Sequence, residues 1–89
     1  MIFIIDNAIF IIKDDITKFI KYQPNTPILT KLTIETSYSN INIVKDLFIN
    51  PPDNIKIENF EFNNSKLYHY SITDDIIQFK MICTFLKNN

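Results

Sequence analysis

The segment 28–38 alternates between two kinds of side chain at every second position. Even positions such as Leu32 and Ile34 are mostly apolar, whereas odd positions include Lys31 and Glu35. Successive side chains of a β-strand point to opposite faces, so this pattern predicts a half-buried antiparallel strand. One of its faces must then pack on a core while the other meets water.

Two β-branched runs, Ile2–Ile5 and Ala8–Ile12, open the chain, with only Asp6 and Asn7 between them. Asp and Asn tolerate the positive φ angles that a two-residue hairpin turn requires, so the sequence predicts a β-hairpin here. Every position within the two strands is apolar. We therefore expect both faces of this hairpin to be covered.

Segment 41–49 has the spacing of an amphipathic helix. Ser39 and Asn40 offer an N-cap, and the run Asn50-Pro51-Pro52 ends the element because proline supplies no N–H and disfavours helix in the residue before it. The side chains that share one helical face, and that we expect to pack on a sheet, are Ile41, Val44, Leu47 and Phe48.

The remainder of the chain predicts three strands over 55–62, 66–72 and 76–87, with turns at 63–65 and 73–75. A bulge near Asn59 would bring the apolar side chains of the first of these strands onto one face. The apolar face of the last strand consists of Ile77, Phe79, Met81, Cys83 and Phe85.

These elements predict an α+β fold, namely an antiparallel sheet of five to six strands with one main helix packed on one face. Segment 16–23 fits either a short helix, with Asp15 as its N-cap, or a strand, and both readings stay open. The length of 89 residues is enough for one domain and not two, so we expect residues 1–89 to form a single domain.

Charge and hydropathy exclude several classes of protein. Nine Lys and ten Asp or Glu residues give a net charge of −1, with no basic cluster, so we expect no direct binding to nucleic acid. No apolar run approaches the ~20 residues that cross a membrane. The single cysteine, Cys83, cannot form an internal disulfide, which fits a reducing compartment, and we expect a cytoplasmic protein.

The sequence contains no recognisable catalytic, cofactor or metal motif. Zinc sites need more ligands than one Cys and one His supply, and phosphate-binding loops rely on glycine, which is absent. We expect a structural or surface role for His69, a buried position for Cys83, and turn formation by Asp14–Asp15 and Asp74–Asp75. An enzyme would have to bring His69, Cys83 and an acid into one cleft.

From Tyr38 onward the chain resembles small, uncharacterised proteins of phages and prophages of low-GC bacteria. The shared outline is a strand, a capped helix that ends in Leu47-Phe48-Ile49-Asn50-Pro51, and three short strands. The resemblance implies a phage or mobile-element origin and supplies no functional residues. A composition of nineteen Ile, eleven Asn and no Gly agrees with a very A/T-rich genome.

These observations favour a non-enzymatic phage protein that binds a host protein or complex, for example as an inhibitor of a CRISPR-type defence complex. The alternative is a structural component of a virion or its tail. The segment Ile2–Ile5 contains no proline, charge or bulge, so at a sheet edge it would need a target protein or another copy of the chain, which would give a homo-oligomer. The side chains that we predict to contact a partner are Ile2, Ile4, Tyr68 and Tyr70.

Overall fold

The computed structural model describes residues 1–16 and 28–88. The strands of its antiparallel sheet are β1 (Ile2–Ile5), β2 (Ala8–Ile12), β3 (Ile28–Ser37), β4 (Asn54–Ile57), β5 (Phe60–Thr73) and β6 (Ile76–Asn88). A 3-10 turn at Tyr38–Asn40 leads into helix α1 (Ile41–Ile49). The strand order is β1-β2-β3-β6-β5-β4, so β1 and β4 are the terminal strands. The predicted α+β class with an antiparallel sheet is confirmed, although strands dominate the fold.

The two central strands, β3 and β6, pair over ten residues, from Ile28–Phe85 to Ser37–Ile76. Their inward side chains are at most 4 % exposed, which confirms the alternation predicted for both strands. Leu32 lies opposite Met81, and Ile34 lies opposite Phe79. The inward side chains of this pair are Thr30, Leu32, Ile34, Thr36, Ile77, Phe79, Met81, Cys83 and Phe85.

The sheet curls until it is nearly closed around one hydrophobic core. Phe3 of β1 and Ile55 of β4, from opposite ends of the strand order, line the same small internal cavity. Phe10 connects the hairpin to the centre, because its ring stacks on Phe3 at 5.3 Å and meets Phe79 edge-on at 6.2 Å. Burial against aromatic rings therefore holds the inner face of the first hairpin.

Aspartate and asparagine form the tight turns of this glycine-free chain. Asp6 and Asn7 have φ angles of 50° and 67°, and Asp74 and Asp75 have φ angles of 51° and 62°. Two consecutive residues with positive φ are what a type I′ hairpin turn requires. The predicted hairpin of β1 and β2 is confirmed, as is the predicted turn before β6.

The strand predicted over 55–62 is wrong, because a two-residue turn at Glu58–Asn59 divides it into β4 and the start of β5. Ile57 and Phe60 pair across this turn, so the apolar side chains on both sides of it face the core without the predicted bulge near Asn59. The turn predicted at 63–65 is instead an irregularity within β5. Asn64 has a φ of 54° there, and Ser65 Oγ donates to the carbonyl of Pro52 at 2.6 Å.

Helix α1 has the predicted bounds and packs on the core through the predicted face. Val44 is fully buried, and Ile41, Leu47 and Phe48 are half-buried against the core. Phe48 lies 5.8 Å from the ring of Phe79 and 5.9 Å from that of Tyr70, in both cases edge-on. The helix therefore packs against side chains of β5 and β6.

The start of α1 differs from the predicted cap. Asn40 occupies the N-cap position but makes no side-chain capping bond, because its Nδ2 donates to Thr36 Oγ1 at 2.8 Å. Of the ambiguous segment 16–23, only Ile16 lies within the described residues, and it is fully buried in the core. The choice between helix and strand for 17–23 falls outside them.

We expect Phe48→Ala to lower the free energy of unfolding by about 2 kcal/mol, since a half-buried ring loses less than the 3–5 kcal/mol typical of fully buried ones. Urea denaturation followed by circular dichroism measures this change. The matched control is Ile49→Ala on the same helix, where a 74 % exposed side chain should cost less than about 0.5 kcal/mol. Equal losses for the two variants would contradict the packing of α1 through Phe48.

Candidate functional site

The outer face of the β1–β2 hairpin carries four exposed isoleucines, here called the isoleucine patch. Register places Ile2 opposite Ile11 and Ile4 opposite Ile9, so the four side chains form two adjacent cross-strand pairs. They are 56 %, 43 %, 66 % and 56 % exposed, respectively. Cross-strand neighbours on one face are about 5 Å apart, so the patch is continuous.

The prediction that both faces of this hairpin are covered is therefore wrong for the outer face. The inner positions behave as expected, since Phe3, Phe10 and Ile12 are buried. An antiparallel sheet needs a core on one face only, and its solvent face is normally polar. In this hairpin the outward positions are apolar as well, which is the departure that marks the surface.

The outer face of the sheet is polar at the positions of β3 and β6 that lie beside the patch. Glu35 of β3 lies directly opposite Ile11 and forms an ion pair with Lys13 at 3.4 Å. On its other side, Gln78 of β6 donates to Glu35 Oε2 at 3.3 Å. The outer face of the sheet thus changes from polar over its centre to apolar over its β1–β2 edge.

The backbone of β1 also presents groups at this edge that bond to none of the described residues. Met1 and Ile12 exchange hydrogen bonds, at 2.7 Å from the Ile12 N–H and 3.3 Å from the Met1 amine. Hydrogen-bonded pairs alternate along an antiparallel ladder, so Phe3 and Ile5 also direct their N–H and C=O groups towards β2. The N–H and C=O groups of Ile2 and Ile4 consequently point away from β2, towards the open edge.

The other terminal strand, β4, is protected in ways that β1 is not. Lys56, in the middle of β4, has a side chain that is 65 % exposed and lies 4.0 Å from the carboxylate of Glu61. Pro51 and Pro52 lie just before the strand. Charge and proline are common devices that stop an edge strand from pairing with another chain.

The two predicted tyrosines lie apart from the isoleucine patch and from each other. Tyr68 lies opposite Lys80 on the outer face of the sheet, whereas Tyr70 packs against Phe48 beside the helix. A register shift between Tyr68 and Ser71 separates them, because the inserted residue turns the next side chain to the other face. The structure therefore brings Ile2 and Ile4 together but not Tyr68 and Tyr70.

His69 and Cys83 occupy different environments. His69 is exposed, has a φ of 51° within the shifted segment, and lies beside the Tyr68 ring at 5.0 Å. Cys83 is fully buried in the core, and burial raises the pKa of its thiol from 9.0 to about 12. The predicted burial of Cys83 is confirmed, and a thiol of this kind stays protonated near neutral pH.

The acidic pairs have roles in local structure. The carboxylate of Asp14 accepts a hydrogen bond from the backbone N–H of Thr33, which ties the end of the hairpin to β3. Asp74 and Asp75 form the β5–β6 turn, and the Asp75 carbonyl accepts from the N–H of Tyr38 at 2.8 Å. Turn formation, as predicted for Asp74–Asp75, is confirmed.

An apolar groove beside α1 is a feature that the sequence did not indicate. It has a volume of about 320 Å³ and is lined by Val44, Lys45, Phe48, Ile49 and Tyr70. The groove depends on the register shift in β5, which turns Tyr70 towards the helix. Since shifts of this kind depend on strand pairing, no local sequence signal reveals the groove.

Buried Cys83 gives a prediction about reactivity and pH. The native protein should react with a thiol reagent at pH 8 orders of magnitude more slowly than the urea-unfolded chain does. As pH rises from about 9 to about 12, the unfolded thiol loses its proton first, so the free energy of unfolding should fall. Denaturation at several pH values measures the fall, which should be smaller in Cys83→Ala. Equal pH dependence in both proteins would contradict the raised pKa.

Across residues 1–16 and 28–88, no three His, Cys, Asp or Glu side chains cluster to hold a metal ion. In the same residues, no helix has the length and apolar character needed to cross a membrane. The chain matches no protein-family model, no curated protein and no solved structure.

Proposed function

We propose that this chain is a non-enzymatic binding protein that engages another protein through the isoleucine patch, which borders the free backbone edge of β1. The observation that carries the proposal is the change along the outer face, which is polar beside the patch at Glu35 and Gln78 but apolar at every outward position of β1 and β2. Four adjacent isoleucines that stay exposed to water do not stabilise the fold, because their apolar surface is not buried. A face that a partner covers gains stability from them.

The size of the patch supports contact with a protein. The four side chains present on the order of 400 Å² of apolar surface, within the 300–600 Å² range of the largest patch on a typical monomer, which is often functional. The free N–H and C=O groups of Ile2 and Ile4 lie at its margin. A partner strand that pairs with β1 would satisfy these groups while its side chains extend the patch, which is the usual arrangement in strand addition.

We propose a phage protein as the biological setting, with a host protein or protein complex as the target in the cytoplasm of the host cell. Inhibition of a CRISPR-type defence complex is the activity we favour, because a small binding domain acts by occupying surface that its target needs. The proposal is supported by the small size of the chain, by an amino-acid composition typical of an A/T-rich genome, and by the resemblance of its C-terminal half to phage and prophage proteins. Tyr68 and Tyr70 lie outside the proposed contact surface.

A structural role in a virion or tail is the second candidate function. The observation in its favour is that the unprotected edge of β1 could pair with the same edge of another copy. Such a role requires self-association without any host partner. An inhibitor requires a stable complex with one host protein, so the two candidates differ in what co-purifies with the chain.

We expect Ile9→Lys to abolish capture of the host partner by tagged protein, since the charge is placed in the middle of the isoleucine patch. Ile9 belongs to β2, so the change leaves the free backbone groups of β1 intact. Quantitative mass spectrometry of captured proteins measures the effect. Ile49→Lys is the matched control, because Ile49 is 74 % exposed and lies on α1.

The two variants should have the circular dichroism spectrum of the wild type, so that a loss of capture reports on binding. A partner captured equally by the wild type and by Ile9→Lys would refute the proposed surface. Because an apolar contact is little screened, the affinity for the partner should fall only slightly between low and high salt. A loss of several orders of magnitude would indicate an ionic interface instead.

We also expect the isolated protein to bind neither duplex nor single-stranded nucleic acid at physiological salt. Lys13 and Lys56 are ion-paired with Glu35 and Glu61, and the net charge is −1. Binding that neutralises phosphates needs a cluster of free cations, and its affinity falls steeply with salt. Fluorescence anisotropy with labelled oligonucleotides measures this, and salt-sensitive micromolar binding would contradict it.

A further inference from the structure

We infer that β1 pairs antiparallel with β1 of a second copy across a two-fold axis at Phe3, which joins two isoleucine patches into one surface. The inference rests on the proposed function, since it names what covers the free edge beside the patch. In the dimer, the backbone edge of β1 binds the second copy, and the two joined isoleucine patches remain exposed for the target protein.

The free backbone groups fix the register of this pairing. Only Ile2 and Ile4 direct N–H and C=O groups outward from β1, so these two residues must form the hydrogen-bonded pairs. With the axis at Phe3, Ile2 of each copy lies opposite Ile4 of the other. Both N–H and both C=O groups of each copy are then used, which gives four hydrogen bonds.

The two-fold axis also keeps each face of the sheet consistent. If the axis passes through a residue, the outward side chains of one copy lie opposite the outward side chains of the other. If the axis passes between two residues, the outward side chains of one copy lie opposite the inward side chains of the other. Axes at Ile2 or Ile4 meet this condition but leave some of the free groups unpaired. Phe3 is therefore the centre that satisfies both the faces and the hydrogen bonds.

Charge favours β1 over β4 for pairing with itself. β1 carries no charged side chain, so an isologous contact opposes no like charges. In β4 the equivalent axis at Ile55 would make the exposed Lys56 side chains of the two copies diagonal neighbours on one face, about 7–8 Å apart, and like charges at that distance oppose pairing. The sequence thus permits self-pairing at one end of the strand order and opposes it at the other.

The dimer gives the apolar face the area that a stable target complex needs. A single isoleucine patch offers roughly half of the ~800 Å² that each partner contributes to an interface of standard size. Pairing at β1 sets the two patches side by side in one continuous sheet, with Ile2 of each copy next to Ile4 of the other. The joined face contains eight isoleucines and reaches about the standard size.

Sedimentation equilibrium of the whole chain, from low micromolar to millimolar concentration, tests the pairing. We expect a concentration-dependent monomer–dimer equilibrium in the wild type. Ile4→Pro removes an N–H that faces the second copy while leaving the β1–β2 hydrogen bonds in place, so it should weaken dimerisation at least about tenfold. Lys56→Pro is the matched control, because it changes the middle of the other terminal strand, and it should leave the equilibrium unchanged.

A cross-linking experiment tests the register without proline. Residues in a hydrogen-bonded antiparallel pair have Cα atoms about 5.5 Å apart, within the ~4.4–6.8 Å range of disulfides. A protein with both Ile2→Cys and Ile4→Cys should therefore form covalent dimers under mild oxidation, through position 2 of one copy and position 4 of the other. A protein with both Ile9→Cys and Ile11→Cys, which lie exposed on the same face but away from the edge, should not.

A wild type that stays monomeric throughout, an unchanged equilibrium in Ile4→Pro, or equal cross-linking of both cysteine proteins would overturn the dimer. These results are separable from those that test the proposed function. Monomeric wild type together with loss of capture in Ile9→Lys rejects the dimer and keeps the binding surface. Dimerisation together with capture that is indifferent to Ile9→Lys supports β1 pairing and rejects the patch as the surface that holds the target.

Discussion

The long pairing of β3 with β6 joins two segments that are far apart in sequence, and the other strands attach to it from either side. The β1–β2 hairpin adds to the free side of β3, and β5 with β4 adds to the free side of β6. Inward side chains of the central pair form the floor of the core, onto which Phe10 packs from β2 and Phe48 from α1. The isoleucine patch lies at the margin of the sheet because β1 is a terminal strand in this order.

Turn chemistry is the second constraint, because the chain has no glycine. Residues other than glycine reach positive φ at a cost of roughly 1–2 kcal/mol each, and Asp and Asn reach it more readily because their side chains form local hydrogen bonds. Among residues 1–16 and 28–88, seven adopt such angles, and five of these are Asp or Asn. The other two, Glu58 and His69, lie in the turn and the register shift that sequence patterns did not predict.

Long, regular patterns made much of the fold predictable. The helical spacing in α1 determines both the type of element and its bounds, whereas the alternation in β3 determines the type of element but extends one residue too far, because Tyr38 is exposed and begins the 3-10 turn. The division of segment 55–62 was not predictable in the same way, because a bulge and a two-residue turn both place Ile57 and Phe60 on the core side. Only the pairing partner distinguishes the two, and Glu58–Asn59 lacks the glycine that commonly marks such turns.

Only two of the four residues of the isoleucine patch could be predicted from the sequence. The sequence identified Ile2 and Ile4 because their strand contains no proline, charge or bulge. It did not identify Ile9 and Ile11, because an unbroken apolar run predicts a strand that is buried on both faces. Tyr68 and Tyr70 are two residues apart and should share a face in a regular strand. The shift at His69 places them on opposite faces, and a shift of this kind is defined by distant pairing with β6.

The contrast between the two terminal strands bears on how far association could proceed. A sheet with two open ends adds copies at both, and successive additions produce a filament without a defined length. In this chain Lys56 and the prolines before β4 close one end of the strand order. Growth by this pairing would therefore stop once two β1 edges have met, which would leave an assembly of two copies with a fixed size.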